Sequence, residues 1–143
     1  MNDRFKFRVW NKEEKKMCEA EGVYGYTDES TKGGEVFIKG YNKSFYFPEE
    51  VEIMQCTGLK DKNGKLIYEG DIIQGNTIPF TNEELGITEL YSATYKGRVI
   101  FEDLRFLADV IDTTRHPLSL TRFETIEVIG NIYTDAHLLE ECE

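Results

Sequence analysis

The chain has 143 residues and a formal net charge of −10, from 17 Lys and Arg against 27 Asp and Glu. That length fits one domain, or one domain with a small subdomain, and it can bury a core without disulfides or metals. The net charge disfavours general nucleic-acid binding, because an acidic surface repels phosphates, and most of the excess lies in residues 75–143.

Composition narrows the class further. Nine Phe, eight Tyr and one Trp, with many β-branched residues, favour strands. Cys18, Cys56 and Cys142 have no paired spacing, which predicts reduced thiols in a cytoplasmic protein, with Cys56 in the core. No run approaches the roughly 18 apolar residues of a membrane span, and no targeting segment is expected, because the N-terminus leads directly into a strand pattern.

The N-terminal pattern predicts a half-buried strand over residues 4–9. Phe7 and Val9 alternate with Arg8, so the apolar side chains should be buried and Arg8 exposed. Trp10 is expected to end this strand. Residues 15–18 are then predicted to return as the second arm of a hairpin.

A glycine-containing polar stretch follows, and residues 19–34 are predicted to form a long loop or a short irregular excursion around Val23, Tyr24 and Tyr26. Residues 35–39 and 44–47 are predicted to be strands, and Pro48 should break the second because it lacks a backbone donor. Residues 49–55 are expected to form a short strand that leads into the centre of the chain.

The central stretch, residues 57–74, reads as turn, strand, turn, strand. Asn63-Gly64 predicts a type I′ turn, which needs positive φ at both residues. Gly70 should let the chain pivot into a core strand, and Asp71 is expected to hold nearby backbone amides.

The second half of the chain predicts further strands. Residues 75–92 are expected to be a variable insertion, in which Thr81 and Glu84 form a capping box on a single helical turn. A hairpin is predicted around Lys96-Gly97, followed by a turn at Glu102-Asp103.

The last elements predicted are three strands and a helix. The strands cover residues 105–112, 120–124 and 125–131. Thr134 or Asp135 should cap a short helix over residues 136–141. Strands at this spacing predict a barrel or a sandwich, with its core around Ile67, Ile72 and Val128.

Three separated motifs resemble the YopX-like proteins of phages and prophages. They are Lys6-Phe7-Arg8-Val9-Trp10-Asn11 near the start, the stretch from Thr57 to Ile73 in the middle, and Glu127-Val128-Ile129-Gly130-Asn131-Ile132-Tyr133 near the end. The residues expected to carry the shared structure are Gly58, Asn63, Gly64, Tyr68, Gly70, Asp71, Gly130 and Asn131.

The resemblance implies a small cytoplasmic phage-encoded protein that self-associates and has no established activity. It also implies a mainly β fold, an SH3-like barrel. With the predicted elements, this gives an N-terminal β-hairpin region over residues 1–50 and the barrel over residues 51–143. The barrel would contain the variable insertion and end in the short helix.

No constellation of catalytic, cofactor-binding or metal-ligating residues is predicted. A calcium loop centred on Gly64 fails, because Leu59 and Gly70 would fall where oxygen ligands are needed. His116 and His137 lack partners at zinc spacing.

Exposed aromatic residues form the candidate interface. They are Trp10, Tyr24, Tyr26, Tyr41, Phe45, Tyr46 and Phe47. Aromatic residues are enriched in subunit interfaces, but the same residues could equally pack the N-terminal hairpins onto the barrel, and both roles remain open.

The sequence therefore predicts a non-enzymatic accessory protein that self-associates and acts by protein–protein binding to a host or phage protein. Two alternatives remain. A basic strip (Arg4, Lys6, Arg8, Lys12, Lys15 and Lys16) could bind nucleic acid. The acidic C-terminal half could instead imitate a phosphate array and block a host DNA-binding protein.

Overall fold

The computed structural model describes residues 6–26, 35–40, 45–46, 48–78, 80–82, 84, 87–89, 94–111 and 117–140. The chain is mainly β, and the helices among these residues are short 3-10 helices at Pro48–Glu50, Leu120–Arg122 and Ala136–Leu139. None of the helices in these ranges has the length and apolar character needed to cross a membrane.

The strands of the described residues, in chain order, are β1 (Phe7–Asn11), β2 (Lys16–Tyr26), β3 (Glu35–Gly40), β4 (Phe45–Tyr46), β5 (Val51–Lys60), β6 (Leu66–Tyr68), β7 (Asp71–Thr77), β8 (Phe80–Asn82), β9 (Ile87–Glu89), β10 (Thr94–Glu102), β11 (Arg105–Val110), β12 (Leu118–Ser119) and β13 (Phe123–Asn131). The chain divides into two compact units, Met1–Leu59 and Lys60–Glu143. Whether residues 1–50 form a region of their own stays a prediction.

In the first unit the strands lie in the order β4-β3-β2-β1-β5. The predicted hairpin of β1 and β2 is confirmed, with Val9 opposite Cys18. The predicted alternation along β1 is wrong, because Arg8 and Trp10 are each only 8% exposed. Strand β1 is paired on both edges, to β2 and to β5, and it continues beyond Trp10 to Asn11.

The predicted loop over residues 19–34 is wrong in its first half, because β2 continues to Tyr26 and pairs with β3. The register shifts between Ala20 and Gly22, so a β-bulge accommodates one extra residue within a continuous strand. Residues 27–34 lie outside the described part. The predicted strand at residues 35–39 is confirmed as β3.

The second unit contains a five-stranded antiparallel sheet in the order β12-β11-β10-β7-β13, and β8 pairs with β9. Its core is a cluster of buried apolar side chains: Ile67, Ile73, Val99, Ala108, Val110, Leu120 and Phe123. Ile67 and Ile72 are fully buried and Val128 packs against the cluster, as the sequence predicted.

Two predicted turns of this unit are wrong. Thr81 does not cap a helical turn but lies in β8, opposite Thr88. Lys96-Gly97 is not a hairpin turn, because β10 runs through it without a break. A Cβ at Gly97 would lie 2.5 Å from the Asp109 carbonyl oxygen, so this glycine permits a close approach of two strands rather than a reversal.

The C-terminal elements differ in detail from the prediction. Residues Leu120–Arg122 form a 3-10 helix rather than the start of a strand. A second 3-10 helix covers Ala136–Leu139, where a short capped helix was predicted. Asp135 occupies its N-cap position, but its side chain makes no cap hydrogen bond.

Candidate functional site

The hairpin tip, defined here as Phe101–Phe106, joins β10 to β11. Glu102 lies opposite Arg105, so the loop between them has only two residues, Asp103 and Leu104. Both have positive φ, 52° and 63°. These values are those of a type I′ turn, whose twist matches the flanking strands.

The hairpin tip exposes apolar surface. Leu104 is 91% exposed and Phe101 is 45% exposed. Phe101 lies opposite Phe106, with ring centroids 4.9 Å apart and planes tilted by 54°. Phe106 packs against the core and also contacts the Phe101 ring, which is partly exposed to solvent. Sequence reasoning missed this surface because it placed the turn at Glu102-Asp103, one residue before the Asp103-Leu104 turn of the structure.

Charged side chains surround these apolar residues. Glu102, Asp103 and Arg105 are all exposed. Farther along the hairpin, Arg98 lies opposite Asp109, and its Nε is 3.4 Å from the Asp109 carboxylate. The hairpin tip therefore combines an apolar centre with charges of both signs.

The turn at Asp61 differs from the predicted type I′ turn. Asn63 does not have positive φ, whereas Gly64 has a φ of 83°. The Gly64 amide donates to the Asp61 carbonyl and the Asp61 amide donates to the Lys65 carbonyl. The central residues are Lys62 and Asn63, and Gly64 takes the left-handed position that follows such a turn.

The Asp61 carboxylate organises this turn and also binds a distant strand. Its Oδ1 accepts from the amides of Asn63 and Lys65, both at 2.9 Å. Its Oδ2 accepts from the Val128 amide at 3.0 Å. Although burial alone would raise the pKa of Asp61, the hydrogen bonds from Val128, Lys65 and Asn63 lower it below its usual value.

The same turn covers the outer edge of β13. The Lys62 amide donates to the Ile126 carbonyl at 2.8 Å, and Lys62 Nζ lies 3.2 Å from the Glu127 carboxylate. An uncovered edge strand invites pairing with other chains. The Asp61 turn therefore restricts access to this edge.

Gly70 and Asp71 hold the start of β7. Gly70 has a φ of 85°, and its amide donates to the Val99 carbonyl at 2.9 Å. Asp71 is 1% exposed, and its carboxylate accepts from the Tyr68 amide at 2.8 Å. The prediction that Asp71 holds a nearby backbone amide is confirmed.

Gly130 and Asn131 end β13 in a compact turn. Asn131 Oδ1 accepts from the amides of Tyr133 and Thr134, and its carbonyl accepts from the Asp135 amide. A Cβ at Gly130 would lie 2.7 Å from the Asp135 side chain. The hydrogen bond from the Thr134 hydroxyl, with that from the Asn131 amide, lowers the pKa of Asp135. Gly58, the remaining motif residue, has a φ of 82°.

A polar cavity of about 220 Å³ opens on the second unit. Lys62, Gln74, Asn76, Thr94, Thr125 and Glu127 supply its polar side chains. Thr94 donates to Asn76 at 2.6 Å, and the Lys62–Glu127 pair leaves the cavity lining without net charge. This lining suits water or a small neutral group.

The predicted interface residues that the structure describes lie in β1, β2 and β4 of one sheet. Trp10 is buried in β1. Tyr24 and Tyr26 lie in β2, and Phe45 and Tyr46 form β4. Tyr41 and Phe47 lie outside the described residues. A role for these aromatic residues in an interface stays a prediction, and the burial of Trp10 within its own chain leaves it little surface for a partner.

Metal-ligating chemistry has no support in the described ranges, where no three His, Cys, Asp or Glu side chains are grouped to hold an ion. His116 lies outside these ranges. His137 is exposed in the last 3-10 helix.

Comparisons with known proteins identify the family. The chain matches the YopX protein family over residues 6–140. It is similar to the crystal structure of protein EF1440 from Enterococcus faecalis, with a TM-score of 0.53 and 28% identity, over 94% of this chain and 97% of that one. No curated protein matches it. Because the family match covers nearly the whole chain, the protein belongs to the YopX family.

Proposed function

We propose that this protein is a non-enzymatic phage accessory protein of the host cytoplasm that self-associates and acts by protein–protein binding. Its membership of the YopX family supports the class. The hairpin tip supports the mode of action, because it presents a leucine that is 91% exposed.

The backbone at Leu104 is the observation that carries the proposal. A left-handed conformation costs a residue with a side chain about 1–2 kcal/mol, and Gly or Asn would avoid that cost. Leu104 therefore adds strain while burying almost none of its apolar surface. Residues that break a local rule without benefit to folding are concentrated at functional sites. An exposed leucine beside Phe101 is suited to anchoring a partner.

Light scattering after size-exclusion chromatography tests self-association. The proposal predicts a mass above 16.6 kDa that rises with protein concentration. A monomer at every concentration up to about 500 µM, the range of weak contacts, would contradict it.

The SH3-like barrel belongs to this proposal as the finer description of the second unit. The antiparallel sheet β12-β11-β10-β7-β13 supports it, as do two register shifts between β13 and β7. Such bulges increase twist and bending, which barrels require. An experimental structure in which these strands stay an open sheet would rule out the barrel.

The nucleic-acid alternative has weaker support. Of its basic strip, Arg8 is only 8% exposed, and Lys12 Nζ lies 3.3 Å from the Glu52 carboxylate. Residues 60–143 carry eight basic and sixteen acidic side chains, which repel phosphates. The same excess of acidic side chains is the feature on which the phosphate-mimic alternative depends. A salt-dependent gel shift with random DNA distinguishes the first alternative from protein binding.

A further inference from the structure

The charges of the hairpin tip have an order that suits pairing with a copy of itself. Two acids, Glu102 and Asp103, precede Leu104, and one base, Arg105, follows it. All three are exposed, and none forms an ion pair with a residue of the described part. The hairpin tip therefore offers both members of an ion pair on either side of one apolar residue.

Two-fold symmetry would match these charges. In an isologous contact the same residues meet in opposite order, so the acids of one copy face the base of the other. We propose that two copies of the chain associate through their hairpin tips, with Leu104 and Phe101 at the centre and Glu102 of each copy facing Arg105 of the other. This inference rests on the self-association proposed above and names its surface.

Net charge and area set the expected strength. Two chains of −10 repel each other, but salt screens exposed charges beyond about 8 Å at physiological ionic strength, and a contact limited to the tips brings few other acids within that distance. Six residues cover far less than the roughly 800 Å² per partner of a stable interface. The expected dimer is therefore weak, with a Kd of about 100 µM.

The first experiment compares the wild-type chain with Leu104→Gly by sedimentation velocity from about 10 to about 500 µM, which brackets that Kd. The exchange removes the apolar centre while relieving the strained backbone, so unfolding cannot explain lost association. The wild type should dimerise with rising concentration, and the variant should associate at least about tenfold more weakly.

The second experiment exchanges the charges between copies. Glu102→Arg makes a tip with two facing bases, and Arg105→Glu makes one with acids only, so each variant alone should remain monomeric. An equimolar mixture pairs every base with an acid, so mixing should restore a dimer. Each variant places two like charges opposite each other at positions 102 and 105 of the same chain, which makes each the stability control for the other.

The outcomes separate this inference from the proposed function. Monomeric wild type at every concentration overturns both. Wild type that dimerises while Leu104→Gly has no effect, or while mixing restores nothing, overturns the hairpin tip and leaves self-association through another surface. Loss with Leu104→Gly together with recovery on mixing supports the tip.

Discussion

At the residue scale, the Asp61 side chain connects two separate parts of the second unit. One carboxylate accepts three backbone amides, two within its own turn and one from Val128, which is 67 positions away. Hydrogen bonds to a charged acceptor are stronger than neutral ones. The side chain therefore ties a local turn to the edge of a core strand.

Asp61→Asn should lower the free energy of unfolding by about 2–3 kcal/mol, because an amide NH₂ cannot accept from the amides that the carboxylate now binds. Urea denaturation at neutral pH measures the loss. Asp103→Asn is the matched control, because Asp103 is exposed and asparagine suits positive φ, so little or no loss is expected there. Equal losses at both positions would contradict this account.

The stabilisation that Asp61 gives the wild-type chain should depend on pH, because the pKa of Asp61 is lowered in the folded state. The unfolded chain takes up the proton at a higher pH than the folded chain does. The stabilisation is therefore complete above the unfolded pKa of about 4, and it is lost as pH falls through the folded value. The difference in stability between wild type and Asp61→Asn should shrink as the pH is lowered from about 6 to about 3. A constant difference would show that the charge is unimportant.

A substitution at Leu104 should increase the stability of the chain, in contrast to Asp61→Asn. Leu104→Gly should raise the free energy of unfolding by about 1 kcal/mol, because glycine adopts a φ of 63° without strain and little buried surface is lost. Leu59→Gly is the control, since Leu59 is 45% exposed in a strand with ordinary φ, where glycine destabilises. Chemical denaturation of both variants checks the two signs.

At the element scale, the sequence predicted strands better than turns. Apolar residues identified β3 and β11, and alternation identified the body of β13, because side-chain burial leaves a pattern that a single sequence shows. Glycine was ambiguous: Gly22 and Gly97 read as loop or turn, yet both lie inside strands, where they accommodate a bulge and a close approach. Which of these a glycine serves depends on the neighbouring strand, and a single sequence does not contain that information.

The candidate site shows the same limit. The role of Asp71 could be predicted correctly because its partner, the Tyr68 amide, is close in sequence. The hydrogen bond from Val128 to Asp61 could not be predicted, since it depends on how strands distant in sequence pair.

Substitutions at Gly97 and Gly64 test whether each glycine permits a close approach of strands or serves a turn. Gly97→Ala should destabilise the second unit by about 1–3 kcal/mol, because a Cβ there would overlap the Asp109 backbone at 2.5 Å. Gly64→Ala has open space around its Cβ and should cost only the strain of positive φ, about 1–2 kcal/mol. Thermal unfolding compares them. Asparagine should be tolerated better than alanine at position 64, because it suits positive φ. It should be tolerated worse than alanine at position 97, because it adds bulk. A gain on replacing alanine by asparagine at position 97 would indicate a turn there instead of a continuous strand.

At the scale of the whole molecule, the two compact units have separate apolar clusters. Val9, Ala20 and Val51 form the cluster of Met1–Leu59, and Ile67 and Ile73 belong to that of Lys60–Glu143. A unit with its own core can unfold as its own cooperative step, and substitutions in separate cores add without coupling.

Val9→Ala should therefore destabilise the first unit, because Val9 is fully buried and the lost methyl groups leave a cavity worth about 1–3 kcal/mol. Native-state hydrogen exchange resolves where the effect falls. Protection should drop at amides of β1 and β2 and stay unchanged at β7 and β10, whereas Asp61→Asn should do the reverse. If either substitution lowered protection equally throughout, the chain would be a single cooperative unit. In that case the conformation of the hairpin tip, including Leu104, would depend on the stability of both units and not on that of Lys60–Glu143 alone.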